Sequence, residues 1–177
     1  MWNWRWRRRR NDKSSASLKQ VAGLVLLLGG VWGGLVGCAG IGRVQAAPSC
    51  TAAEATQIHI AAQTFKVSVA ASDQARSRGL SGQPSLMPAT GMWFVFPQPD
   101  RNGFWMPDMN FSIDLVWINP ARQVVGAITL HPCERQACSI AYPPEPVSYV
   151  LEVNAGEFAG QVGDEVRWTC RAANRHQ

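Results

Sequence analysis

The feature that most restricts the fold is a series of short segments that alternate apolar and polar residues, separated by Gly, Pro and Asn turns. In residues 64–70 (TFKVSVA), Phe65, Val67 and Val69 share one face while Lys66 and Ser68 take the other. That period of two belongs to half-buried strands, because successive side chains of an extended chain point to opposite sides. Residues 91–96 (GMWFVF) are apolar throughout and read as a buried strand. Residues 113–118 (IDLVWI), a turn at Asn119-Pro120 and residues 123–130 (QVVGAITL) predict a hairpin. Asn102-Gly103 predicts another, with FWM at 104–106 as its returning strand. Segments 148–153 (SYVLEV) and 164–168 (DEVRW) complete the set. Helical character is confined to DQARSRGL at 73–80, with Ser72 as N-cap and Gly79 to end it. About eight strands and one or two short helical turns predict a mainly β domain, a compact β-sandwich or partly closed barrel.

The chain has 177 residues, enough for one domain and an appendage. Its formal charge of +5 is concentrated at the start, where seven of 17 basic residues lie in the first 19 positions. From Cys38 onward ten basic residues face eleven acidic ones, a net of −1. The body therefore lacks the clustered basic face that nucleic-acid binding requires, and that function class is excluded.

The opening MWNWRWRRRR precedes an uncharged run over 20–42, the pattern of a secretory signal. The run contains Leu35-Val36-Gly37-Cys38, which resembles a bacterial lipobox with Cys38 as the lipidated residue. Cleavage after Ala46 and retention as a single-pass anchor stay open, the latter because 23 uncharged residues can span a bilayer. All three outcomes place the body outside the cytoplasm, in the periplasm or envelope, and lipid anchoring is preferred. The expected organisation is a signal peptide at 1–37 ending at Cys38, a linker at 38–56, a single β domain at 57–170 and a tail at 171–177.

Setting Cys38 aside leaves four cysteines, an even number suited to an oxidising compartment. Three pairings are possible. The short spacing in PCERQAC favours Cys133–Cys138, which leaves Cys50–Cys170 to tie the first ordered residues to the last. A metal site on His131, Cys133 and Cys138 would lack a fourth ligand, so neither metal nor cofactor is expected.

In the strand around Asp114, the alternation places a carboxylate on the face of Val116 and Ile118. A buried carboxylate needs a cation or several donors. Arg78 is the expected partner, with Arg76 second, in a clamp between the helical turn and the sheet. His59 points away from Ile58 and Ile60 and is expected to be solvated.

The ordered motifs RGL (78–80), GMWFVF (91–96), FWM (104–106), IDLVWI (113–118), VLEVNAG (150–156) and GDEV (163–166) resemble the family known as domain of unknown function 192. The resemblance runs over roughly residues 64–168. It implies a compact, mainly β domain, often exported and sometimes lipid-anchored, and no established activity. Ser81 stands where the family usually has Met, and Pro107, Asp108 and Met109 stand where it usually reads Lys-Asn-Thr. A Pro normally precedes the Leu-Asp pair, where this chain has Ser112 and Ile113 before Asp114.

No Ser elbow is present, since Gly79-Leu80-Ser81-Gly82 has the wrong spacing, and no glycine loop cradles a phosphate. The expected function is an extracytoplasmic accessory domain, non-enzymatic, binding a small envelope ligand or a protein partner. Arg78, Trp93, Trp105 and Met106 are the ligand-binding candidates, because exposed aromatic rings form stacking platforms. The alternative is a hydrolase of envelope carbohydrate using paired carboxylates drawn from Asp108, Asp114 and Glu152. The leader or its lipid would hold the protein at the membrane.

Overall fold

The computed structural model describes residues 50–134 and 138–171. The signal segment, Cys38, the Ala46 site and the last six residues lie outside the described residues. A capped 3-10 turn (Ala52–Glu54) leads into β1 (Ala55–Ile60) and β2 (Gln63–Ala70). Helix α1 (Asp73–Arg78) is followed by β3 (Thr90–Asp100), β4 (Ile113–Ile118), β5 (Val124–Leu130), β6 (Val147–Asn154) and β7 (Val166–Cys170). Ser72 caps α1 by accepting a hydrogen bond from the Ala75 amide, and Gly79 ends it at φ 52°. The described residues thus contain seven strands, and they form one sheet in the order β5-β4-β6-β3-β2-β1-β7. β2 and β3 pair in parallel, joined across α1, and the other neighbours are antiparallel.

The β4–β5 hairpin forms as expected, but FWM is not a returning strand. β3 is a central strand, paired by β2 over 90–94 and by β6 as far as Asp100, and FWM joins neither edge. Phe104 instead forms an isolated bridge with Ala141.

Of the two expected architectures, the sheet is the partly closed barrel. Its curl brings the start of β5 to the start of β7. There Val166 donates to the Arg122 carbonyl (2.8 Å), Val124 to Asp164 (2.9 Å) and Gly163 to Val124 (2.8 Å). The bridge Gln123–Glu165 marks this seam, and the ladder does not continue beyond it.

Strand alternation then divides the core in two. The concave face carries Ile58, Ile60, Phe65, Trp93, Val116, Ile118, Leu151 and Val153. Trp93 stacks on Tyr149 there, with ring centroids 5.2 Å apart and planes at 9°. The convex face carries Phe94, Phe96, Ile113, Leu115, Trp117 and Val150. Three connections cover it: 71–89 with α1, 101–112 and 131–146 contribute Leu80, Phe104, Met106 and Cys133 to this second core. Phe104 meets Phe94 and Phe96 edge-on at 5.5 and 6.3 Å. Both expected disulfides are present, Cys50–Cys170 joining the chain before β1 to the end of β7, and Cys133–Cys138 closing a loop in the convex cover.

Candidate functional site

Asp114 is 6% exposed and lies on the concave side of β4, opposite Thr129 and Val153. Its Oδ1 accepts from the Thr129 hydroxyl (2.7 Å), and its Oδ2 from the backbone amides of Gly156 (2.8 Å) and Phe158 (3.1 Å). Three donors satisfy the carboxylate, and together they pin the β6–β7 connection so that Phe158 packs on the inner core. The expected clamp with Arg78 is not formed. α1 packs on the convex face, so the sheet itself stands between the helix and Asp114. Arg78 is exposed, and Arg76 is engaged locally. Arg76 donates to the Ala71 and Val95 carbonyls and to Asp73, with its guanidinium 5.5 Å from the Phe96 ring centroid.

Glu152 projects from β6 to the opposite, convex face, where Met92 and Leu115 flank it on the neighbouring strands. It is 7% exposed and makes no hydrogen bond among the described residues, and burial pushes its carboxyl up to about 8. Asp114 and Glu152 are therefore separated by the sheet and do not form the carboxylate pair of the hydrolase alternative. Asp108 lies exposed in a turn at φ 60°.

The ligand-binding candidates separate sharply. Trp93 is fully buried in the concave core and presents no platform to solvent. Met106 is buried in the convex core, whereas Trp105 is 40% exposed. The antiparallel bridge between Phe104 and Ala141 explains the contrast, because it turns 104 and 141 inward. The flanking positions 103 and 105, and 140 and 142, then share the outer side. Ile140 and Tyr142 are 50% and 58% exposed there. A Cβ on Gly103 would lie 2.5 Å from Ile140 Cγ2 and 2.9 Å from Tyr142 Cε1, so only glycine lets those side chains lie over the strand. Ile140 and Tyr142 were not among the sequence candidates, because their neighbourhood with Trp105 comes from a single long-range bridge.

His59 is half-buried on the polar side of β1, its ring nitrogens 3.0 and 3.3 Å from the Thr64 and Thr169 hydroxyls. It borders a polar groove lined by Asp164, Glu165 and Arg167. Among the described residues no helix is long and apolar enough to cross a membrane.

A partly closed, disulfide-tied β-barrel with an aromatic surface on its convex cover is the class that this geometry defines. The family model DUF192, described as Uncharacterized ACR, COG1430, matches residues 55–168, and the chain belongs to that family. A crystal structure of a protein of unknown function from Novosphingobium aromaticivorans is similar with a TM-score of 0.59 at 22% identity. That match covers 70% of this chain and 94% of the other. A putative transcription regulator from Sinorhizobium meliloti 1021 is similar with a TM-score of 0.57 at 23% identity, covering 63% and 92%. At these identities the likeness is one of fold. No curated protein matches the chain.

Proposed function

We propose that the chain is an exported, non-enzymatic accessory domain, held at the membrane through a lipid on Cys38, that binds a flat envelope ligand on the Trp105–Ile140–Tyr142 surface. The observation that carries this reading is the patch itself. Trp105, Ile140 and Tyr142 are 40%, 50% and 58% exposed and flank a bridge between Phe104 and Ala141 that is fixed by two backbone hydrogen bonds of 2.8 and 2.7 Å. Contiguous exposed apolar surface is unfavourable in water and serves recognition where it persists. An exposed indole or phenol ring offers the CH face of a pyranose ring a stacking surface. Two disulfides fit an oxidising compartment outside the cytoplasm.

Tryptophan fluorescence titrated with soluble peptidoglycan fragments tests the surface. We expect saturable binding that weakens by about tenfold in Trp105→Ala, the loss of one stacking contact, with an unchanged melting temperature. Equal affinity in the variant and wild type would contradict the assignment.

A further inference from the structure

We propose that the outer edge of β5 is an interface for a second copy of this chain, the two β5 strands pairing antiparallel about a two-fold axis so that the two sheets become one. The inference is independent of the Trp105 surface. β5 gives one hydrogen-bonding edge to β4 along its whole length. On the other edge only Val124 is engaged, through the seam bonds with Gly163 and Asp164. Among the described residues, no strand, bridge or main-chain hydrogen bond occupies that edge over 125–130. Ala127, Ile128 and Thr129 are exposed there, Ile128 at 37%.

A strand with one row of amides and carbonyls unpaired is a template for strand addition, and sheets ordinarily blunt such an edge with charge, proline or a covering loop. β5 is not blunted in this way. Its seven residues, VVGAITL, are uncharged, contain no proline and include β-branched side chains that favour an extended backbone. The other end of the sheet differs: β7 carries the exposed Arg167, paired with Glu165, and ends at the Cys50–Cys170 disulfide.

The chemistry of the edge selects a second copy over an unrelated peptide. A disordered peptide would have to be ordered residue by residue, and Ile128 is the one large side chain on β5 exposed enough to offset that cost. A second β5 is already a strand. Two-fold pairing sets residues near the axis against themselves or close neighbours, where like charges repel, so it requires an uncharged strand. Charge beyond the strand then favours the antiparallel arrangement. Arg122 precedes β5 and Glu134 follows it, both exposed, so antiparallel copies bring opposite signs toward the same end and parallel copies bring like signs. A contact one strand wide belongs with the small, transient interfaces under about 1,200 Å², so the dimer should dissociate on dilution with a Kd on the order of 10 μM.

Sedimentation velocity of the full-length, oxidised protein between about 1 and about 300 μM brackets that Kd, with hydrogen exchange of amides 125–130 measured at both extremes. The mass is expected to double across the range, and alternate amides of 125–130 to exchange about eightfold more slowly at the high end, as mass action gives. Ala127→Lys and Ile128→Lys each put like charges at the axis and should leave a monomer throughout. Ala127 is exposed, so Ala127→Lys should keep the melting temperature of the dilute wild type, which separates lost pairing from lost folding. Arg167→Ala and Trp105→Ala should dimerise as the wild type does. A wild-type protein monomeric at every concentration would overturn the proposal. So would a dimer that survives both lysine variants, or one that is lost in Trp105→Ala.

Discussion

Asp114 and Glu152 are neighbours by register, Asp114 standing opposite Val153, and the pleat sends them into different chemistry. Asp114 meets three donors on the concave side, and removing it strands two backbone amides and a hydroxyl. Asp114→Ala should destabilise the fold by about 3 kcal/mol, and Arg78→Ala by no more than ~0.5, since an exposed side chain without such partners contributes little. Urea unfolding of both variants checks the contrast; equal effects would restore the Arg78 clamp. Glu152 meets none, and its raised pKa has a sign that can be followed. The folded state holds the proton that the unfolded state releases above its ordinary value of 4.5. Stability should therefore fall as pH rises from about 4.5 to about 8 and then level off. Glu152→Gln should flatten that decline, and denaturant midpoints between pH 4 and 9 will show it. Sequence alternation placed Asp114 on an apolar face and correctly demanded partners for it. It could not say that the donors would be amides 42 and 44 residues away in sequence.

At the scale of elements, local signals were legible and neighbour choice was not. Ser72 and Gly79 bound the helical turn where the sequence puts them, because capping is decided by residues within one turn. The β4–β5 hairpin likewise follows from its own turn. The FWM segment does not return along β3 but is held from far along the chain, by bridges from Phe104 to Ala141 and from Pro107 to Cys133. The Asn102-Gly103 pair is instead followed by the convex cover, where Gly103 makes room for Ile140 and Tyr142. The two disulfides act on elements of different reach. Cys50–Cys170 closes a separation of 120 residues and Cys133–Cys138 one of 5. Loop-closure entropy then predicts a loss of roughly 5 kcal/mol for Cys50→Ser/Cys170→Ser and about 2 for Cys133→Ser/Cys138→Ser. Thermal unfolding of the two double variants measures the difference. The smaller loop should matter more for the Trp105 surface, because Cys133 bridges to Pro107 directly beyond Met106.

For the whole molecule, the mainly β class was readable from period-two alternation, and the single curled sheet was not. Its order runs β5-β4-β6-β3-β2-β1-β7, so β4 and β6 are neighbours although β5 lies between them in sequence. The seam at Gln123–Glu165 depends on that order and leaves no local trace in either strand. The same topology assigns the tryptophans: Trp93 to the concave core, Trp117 to the convex core and Trp105 to the outer surface. The account turns on that last assignment. A photo-crosslinking residue at position 142 of the protein in its host envelope, with a second at position 57 on a distant strand as control, tests it most directly. We predict an adduct of carbohydrate mass at 142 and none at 57. Labelling at 142 no greater than at 57 would contradict a binding role for this surface.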